Sequence, residues 1–292
     1  MQKLKYSIID KMIEKGCTSA EVNFICHIAK YQDDTGFIQG VYYKEICSDL
    51  NCADQTFYNL MNSLEAKGII KKIKASYWDY NIVILGNDFT EAIKRNFKGK
   101  DDKYINLNHE IFYNKDFYRL KAGEKLLAMK FLVICLSGRG SYNKSVKEFF
   151  EKYKDIFNVT KRVIQNYLTT LKKFFSIGVK DKQYWITPKK GVYKAFLSER
   201  TDDVVFNKHF GKVTCRREKV KYTEKKLEDT LYLLWQYKSY VEDTENIYEL
   251  LRNAVVESLK KANKGIREVK WNRELEPKLV HTLFRKEMGL SN

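Results

Sequence analysis

Thr160, Lys161, Arg162, Gln165, Asn166 and Thr169 carry the most legible chemistry in this sequence. All of them fall off the apolar stripe of Ile164, Leu168 and Leu171, which recurs at helical spacing. A guanidinium can donate two parallel hydrogen bonds to guanine O6 and N7, and a Gln or Asn amide can pair with adenine N6 and N7. Lys172 and Lys173 just past the stripe, and Lys180 and Lys182 beyond them, are charges of the kind that hold phosphate. A weaker set lies earlier in the chain. Gln55, Thr56, Asn59 and Asn62 stand off the stripe of Phe57, Leu60, Met61 and Leu64, followed by Lys71, Lys72 and Lys74. These side chains are suited to reading and holding a polyanion rather than to breaking bonds.

No constellation for bond chemistry stands beside them. The six cysteines, Cys17, Cys26, Cys47, Cys52, Cys135 and Cys215, contain no C-x-x-C pair, and His27, His109, His209 and His281 show no ligand spacing. Gly138-Arg139-Gly140 lacks the Lys-Ser/Thr of a phosphate-binding loop. The expectation is therefore no enzyme, no cofactor and no metal. Residues 1–14 are amphipathic, and the longest apolar stretch, Leu126 to Leu136, is broken by Lys130. These features predict no membrane partner and a reduced, cytoplasmic setting.

Charge points the same way. The 292 residues are 44% hydrophobic and 31% charged, which predicts a folded chain, and the formal net charge is +17. It is concentrated: residues 1–89 sum to −1, residues 90–199 to +13 and residues 200–292 to +5. Solubility alone mixes the signs, so a middle segment this basic predicts a polyanionic partner.

The elements that must position these groups follow from caps, turns and periodicity. Thr18-Ser19-Ala20-Glu21 has capping-box spacing before Val22, Ile25, Cys26 and Ala29. Asp33-Asp34-Thr35-Gly36 is a turn, Phe37 to Tyr43 a strand, Lys44 to Leu50 a helix, and Asn51 to Asp54 a tight turn into the next helix. Ile69 to Ile73 and Tyr80 to Leu85 flank a hairpin tip at Ala75 to Asp79, with Tyr77 and Trp78 read as wing-packing aromatics. With an offset of 107 residues the pattern recurs: Asn51 falls on Asn158, Asn59 on Asn166 and Leu64 on Leu171. Ser145 to Phe157, Thr160 to Phe175 and a hairpin from Val179 to Thr187 turning at Asp181-Lys182 complete the second copy. The run Lys98-Gly99-Lys100-Asp101-Asp102-Lys103 reads as a linker. Beyond Pro188, Thr201 to Thr214 reads as irregular, and helices are predicted at Glu224 to Val241, Asn246 to Lys261 and Pro277 to Met288.

The segment Leu64-Glu65-Ala66-Lys67-Gly68-Ile69-Ile70 resembles the end of the recognition helix in winged helix-turn-helix proteins, where Gly stops the helix and an apolar pair enters the wing. The resemblance covers residues 16–190. Tyr104-Ile105-Asn106-Leu107, Phe112 and Leu120 to Leu127 are similar to the start of initiator-type winged helices of Gram-positive replicons. The resemblance implies a chain that is mainly α with small β wings: two tandem winged-helix domains, residues 1–97 and 98–195, plus a helical C-terminal region, residues 196–292. It implies double-stranded DNA as the partner, with both residue sets named above as contacts. The expected function is a bacterial transcription regulator. The alternatives are a replication initiator or partition protein of a plasmid or mobile element, and a winged-helix protein-interaction scaffold. The apolar faces of the helices from Glu224 to Leu259 predict a homodimer through the C-terminal helices, the competing account being that Leu231, Trp235 and Leu250 pack back on the second winged helix.

Overall fold

Thr18, Asn114 and Ser145 each start a helix with a side-chain oxygen that accepts from a backbone N–H of its first turn. In the computed structural model the chain runs β1 (Lys3–Lys5), α1 (Tyr6–Glu14), α2 (Ser19–Ile28), β2 (Phe37–Tyr42), α3 (Tyr43–Leu50), α4 (Asp54–Ala66), β3 (Ile70–Lys74), β4 (Asp79–Ile84), β5 (Tyr104–Asn106), α5 (Lys115–Tyr118), α6 (Ala122–Leu136), β6 (Tyr142–Ser145), α7 (Val146–Phe157), α8 (Lys161–Leu171), β7 (Phe175–Lys180), β8 (Gln183–Pro188), α9 (Lys190–Tyr193), α10 (Thr201–Arg217), α11 (Glu224–Gln236) and α12 (Pro277–Glu287). The structure describes residues 2–77, 79–90, 103–138, 140–194, 201–236, 274–287 and 289. Trp78, most of the Lys98–Lys103 linker and the helix expected at Asn246 to Lys261 lie outside the described residues, as do the side chain of Trp235 and all of Leu250.

The Thr18 box forms as expected: Thr18 Oγ1 accepts from the Glu21 N–H at 3.3 Å, and Glu21 Oε2 accepts from the Thr18 N–H at 2.6 Å. Asn51 and Asn158 end α3 and α7 in the left-handed region, at φ 50° and 49°. Asparagine tolerates that region better than most residues.

The expectation of a mainly α fold is overturned. The fold is mixed α/β: helix predominates, but the described residues also form three small antiparallel sheets. Their strand orders are β1-β5, β2-β4-β3 and β6-β8-β7. β1, β5 and β6 are three or four residues long. Strands that short show no period-2 alternation and are specified by their long-range partners. A second correction concerns Thr201 to Thr214, which is helical within α10. Its stripe is weak, but Phe210, Val213 and Cys215 are buried. Gly211 leaves room for Leu227, whose Cδ1 would sit 2.8 Å from an added Cβ. The helix expected to reach Phe175 stops at Leu171, because Phe174 and Phe175 turn into β7.

The chain forms two compact units, Met1–Asp202 and Asp203–Asn292. In the second, Phe210, Val213, Cys215, Leu227, Leu275 and Val280 are buried, and Lys226 pairs with Glu274 and Glu276. In the first, both copies of the repeated pattern share one hydrophobic core. At its centre is α6, with eleven of fifteen residues buried. A helix with no polar face must be surrounded. It packs on α1 and α2 of the first half and on α8 and β8 of the second. Phe131 of α6 lies 5.7 to 6.1 Å, centroid to centroid, from Phe175, Tyr153, Tyr142 and Phe149.

Three buried lysines cross between the halves. Lys30 Nζ donates to the Phe112 carbonyl at 3.0 Å and lies 3.7 Å from the Tyr113 ring centroid. Lys125 Nζ donates to the Tyr118 carbonyl at 2.8 Å and to Ser19 Oγ. Lys130 Nζ is paired with Asp10 and lies 4.2 Å from the Tyr6 ring centroid. β1 is pinned on both sides, by β5 and by Asn87, which accepts from the Lys5 N–H at 2.8 Å and donates to the Lys3 carbonyl at 3.0 Å.

Two outcomes follow from this core. An added Cβ at Gly123 would meet Tyr167 Oη at 2.4 Å and its ring carbons at 2.6 and 2.7 Å. Gly123→Ala is expected to cost about 1–3 kcal/mol by overpacking. Adding Tyr167→Leu should recover part of that loss in urea unfolding, whereas strictly additive losses would contradict the contact. Burial also pushes Lys30 and Lys125 down to about 8 from the ordinary 10.5. Between those values the unfolded chain binds more protons than the folded one, so these groups make stability rise with pH across that window. Lys30→Met and Lys125→Met should each flatten the wild-type slope of stability against pH from about 8 to about 10. A variant with the wild-type slope would contradict the burial of that charge.

Candidate nucleic-acid interface

Each half carries the same frame: a first helix, a strand, a support helix, an asparagine-ended turn, a second helix and a hairpin. The second helix is fixed by its apolar side. In α8 these residues are Ile164, Leu168 and Leu171, and in α4 Phe57, Leu60, Met61 and Leu64, all buried. It is also fixed by a carboxylate from the first helix. Glu21 accepts from Ser63 Oγ at 2.6 Å and is paired with Lys67 at 2.7 Å. Burial pushes Glu21 up, but the bonds from Lys67, Ser63 and Thr18 outweigh that and hold it below the usual carboxylate range. Glu124 does the corresponding work in the second half, accepting from the Lys121 N–H at 2.8 Å and from Thr170 Oγ1 at 3.0 Å. Ser63 and Thr170 are themselves 107 positions apart.

With its apolar side held inward, α8 turns the rest outward. Thr160, Lys161, Arg162, Gln165, Asn166, Thr169, Lys172 and Lys173 are all exposed, as are Lys180 and Lys182 in the hairpin. Thr160 precedes the helix and makes no side-chain cap bond, and Lys161 is its first residue. Lys161 Nζ lies 4.9 Å from the Phe150 ring centroid, and Lys173 is paired with Asp116 of α5. The hairpin turns at Asp181 and Lys182, at φ 52° and 58°, between the paired Lys180 and Gln183. That is the two-residue turn whose twist matches the flanking strands. The Lys182 carbonyl accepts from the Val146 N–H at 2.9 Å, which pins the tip to the start of α7.

Between α7, the start of α8 and this hairpin lies an open groove of about 750 Å³. Lys147, Lys154, Lys161 and Lys182 line it, over Phe150 and Val179. Glu151 contributes a carboxylate to the same lining. Sequence reasoning missed Lys147 and Lys154, because α7 is read through its buried Phe149, Phe150 and Tyr153. The signal was available: the two lysines are seven residues apart, two helical turns, on one side of an amphipathic helix.

The first half presents a different surface on the same frame. Gln55, Asn59, Asn62, Lys71 and Lys74 are exposed, while Thr56 and Lys72 are half-buried. Several engage one another. Gln55 Nε2 donates to Asn59 Oδ1 at 3.0 Å, and Lys72 Nζ bonds Asn62 and pairs with Glu65 at 3.0 Å. Around them stand exposed apolar groups: Tyr77 at 81%, Ile73 at 44% and Tyr58 at 36% exposure. Counting from the equivalent Asn51 and Asn158, Cys47 and Asp54 occupy the places of Lys154 and Lys161.

Among the described residues, no group of three or more His, Cys, Asp or Glu is placed to hold a metal ion. No helix among them is long and apolar enough to cross a membrane. No protein-family model, curated protein or solved structure matches the chain.

Proposed function

We propose that the chain is a sequence-specific double-stranded DNA-binding protein, a transcription regulator that reads bases with α8 in the manner of a winged helix. The observation that carries this reading is the outward row of α8. A guanidinium, two amides, two hydroxyls and three lysines share the side opposite a fully buried stripe, in the segment with a net charge of +13. Arg162, Gln165 and Asn166 lie in the N-terminal part of the helix, the part that reaches base edges in such proteins. Lys172, Lys173, Lys180 and Lys182 flank it with charges suited to the backbone.

A second reading applies to the first half. Its net charge of −1 and its exposed Tyr58, Ile73 and Tyr77 favour docking of a protein over unaided DNA contact. A reporter fusion separates regulation from the initiator alternative: a regulator changes transcription from its promoter, and an initiator maintains a replicon.

The base-reading claim is tested by Arg162→Ala with Gln165→Ala, scored by selection of bound duplexes from a random pool. Each lost two-bond contact is expected to remove about 1–3 kcal/mol of discrimination at its position. A double variant with the wild-type far-ultraviolet dichroism and the wild-type base preference would contradict the assignment of α8.

A further inference from the structure

The tip of the second hairpin holds a side chain where its backbone does not want one. Five non-glycine residues among those described have left-handed φ: Asn51, Asn158, Asp181, Lys182 and Lys219. The two asparagines end helices, and Asn and Asp tolerate the region. Lys219 follows the end of α10, where its N–H donates to the Arg216 carbonyl. Lys182, at φ 58°, sits at the position where this turn type prefers glycine. Its backbone task, accepting from the Val146 N–H, would be done equally well by glycine. Its side chain is exposed, so packing does not explain it. Strain kept without a structural return marks a position held for its side chain.

That side chain lines the groove with three other ammonium groups, Lys147, Lys154 and Lys161, against the lone carboxylate of Glu151. Four like charges lining one groove repel one another, and an anion among them relieves that repulsion. The lining contains no arginine and no amide, the forked side chains that pair with base edges through two hydrogen bonds in fixed geometry. Lysines act as compact point charges. Phe150 and Val179 give the groove an apolar floor, and Val179 is 59% exposed. The groove opens beside Lys161, the first residue of the base-reading helix. In the first half Cys47 and Asp54 replace Lys154 and Lys161, so the repeated frame by itself does not require the charges.

We infer that this groove is a phosphate channel for one strand of the duplex, with Lys147 and Lys154 of α7 and the strained Lys182 holding successive phosphates. The sugar edges lie on Phe150 and Val179. This inference rests on the proposed DNA binding and assigns the path of the backbone past the reading helix. It makes Lys147 and Lys154 sequence-independent contacts, and it makes Lys182 a residue that lowers stability in exchange for charge.

The test uses the full chain and a selected duplex, with affinity measured by fluorescence anisotropy from about 50 to about 200 mM salt. Each phosphate contact contributes about 0.9 to the slope of log affinity against log salt. Lys147→Gln with Lys154→Gln should reduce that slope by about 2 and weaken every sequence alike, leaving base preference intact. Lys182→Gly should reduce it by about 1 while raising Tm. Wild-type protein with no salt-dependent duplex binding would overturn the proposed function itself. Wild-type binding with an unchanged slope in the variants would overturn only the channel. A lower Tm in Lys182→Gly would overturn the strain argument. Loss of polyglutamate binding with unchanged duplex binding in the α7 double variant would make the groove a protein site and overturn the inference.

Discussion

Everything in the first compact unit depends on one helix that has no face to show to water. α6 buries residues on every side, including the ammonium-bearing Lys125 and Lys130. An unpartnered buried charge is far more costly than a buried leucine, so these lysines must find oxygen partners. They find them in or beside the other half, at Ser19 and the Tyr118 carbonyl and at Asp10. Lys30 makes the reciprocal reach to the Phe112 carbonyl. The two copies of the repeated pattern are thereby parts of one core rather than modules joined only by a linker. α8 packs directly on α6, and the close approach of Tyr167 to Gly123 fixes how near it comes. The outward face of α8 is set by this packing, not by the loop that precedes it.

The repeat shows how one frame carries two chemistries. Two left-handed asparagines, two capping glutamates and two hydroxyls that bond them sit in corresponding places. What differs is the outward side. The second half turns lysines, a guanidinium and amides outward and keeps a groove lined by four lysines. The first half ties its amides and Lys72 to one another and exposes tyrosines and Ile73. A common core with divergent surfaces is the pattern expected when one copy keeps a polyanion and the other takes a different partner.

Much of the frame was legible because its signals are local. The Thr18 box, the α4 and α8 stripes, the asparagine turns and the Asp181-Lys182 tip are each written within a few residues. The outward row of α8 followed directly from its stripe. The misses are non-local. The β1–β5 pair joins residues about a hundred positions apart, and three-residue strands carry no alternation. α10 forms where its few apolar residues meet Leu227. A sum of charges by segment does not separate Lys30, Lys125 and Lys130 from surface lysines, and the fold takes all of them inside. The basic groove was hidden for the same reason: α7, the start of α8 and the hairpin are separated in sequence and meet only in the fold.

Amide hydrogen exchange on the full chain, with and without a bound duplex, tests the central claim most directly. Slowed exchange on DNA binding is expected in residues 146–154, 161–173 and 179–183, with α6 already protected in the free protein because its amides open only with the shared core. Slowed exchange confined to α4 and the first hairpin, with α8 unchanged, would contradict it.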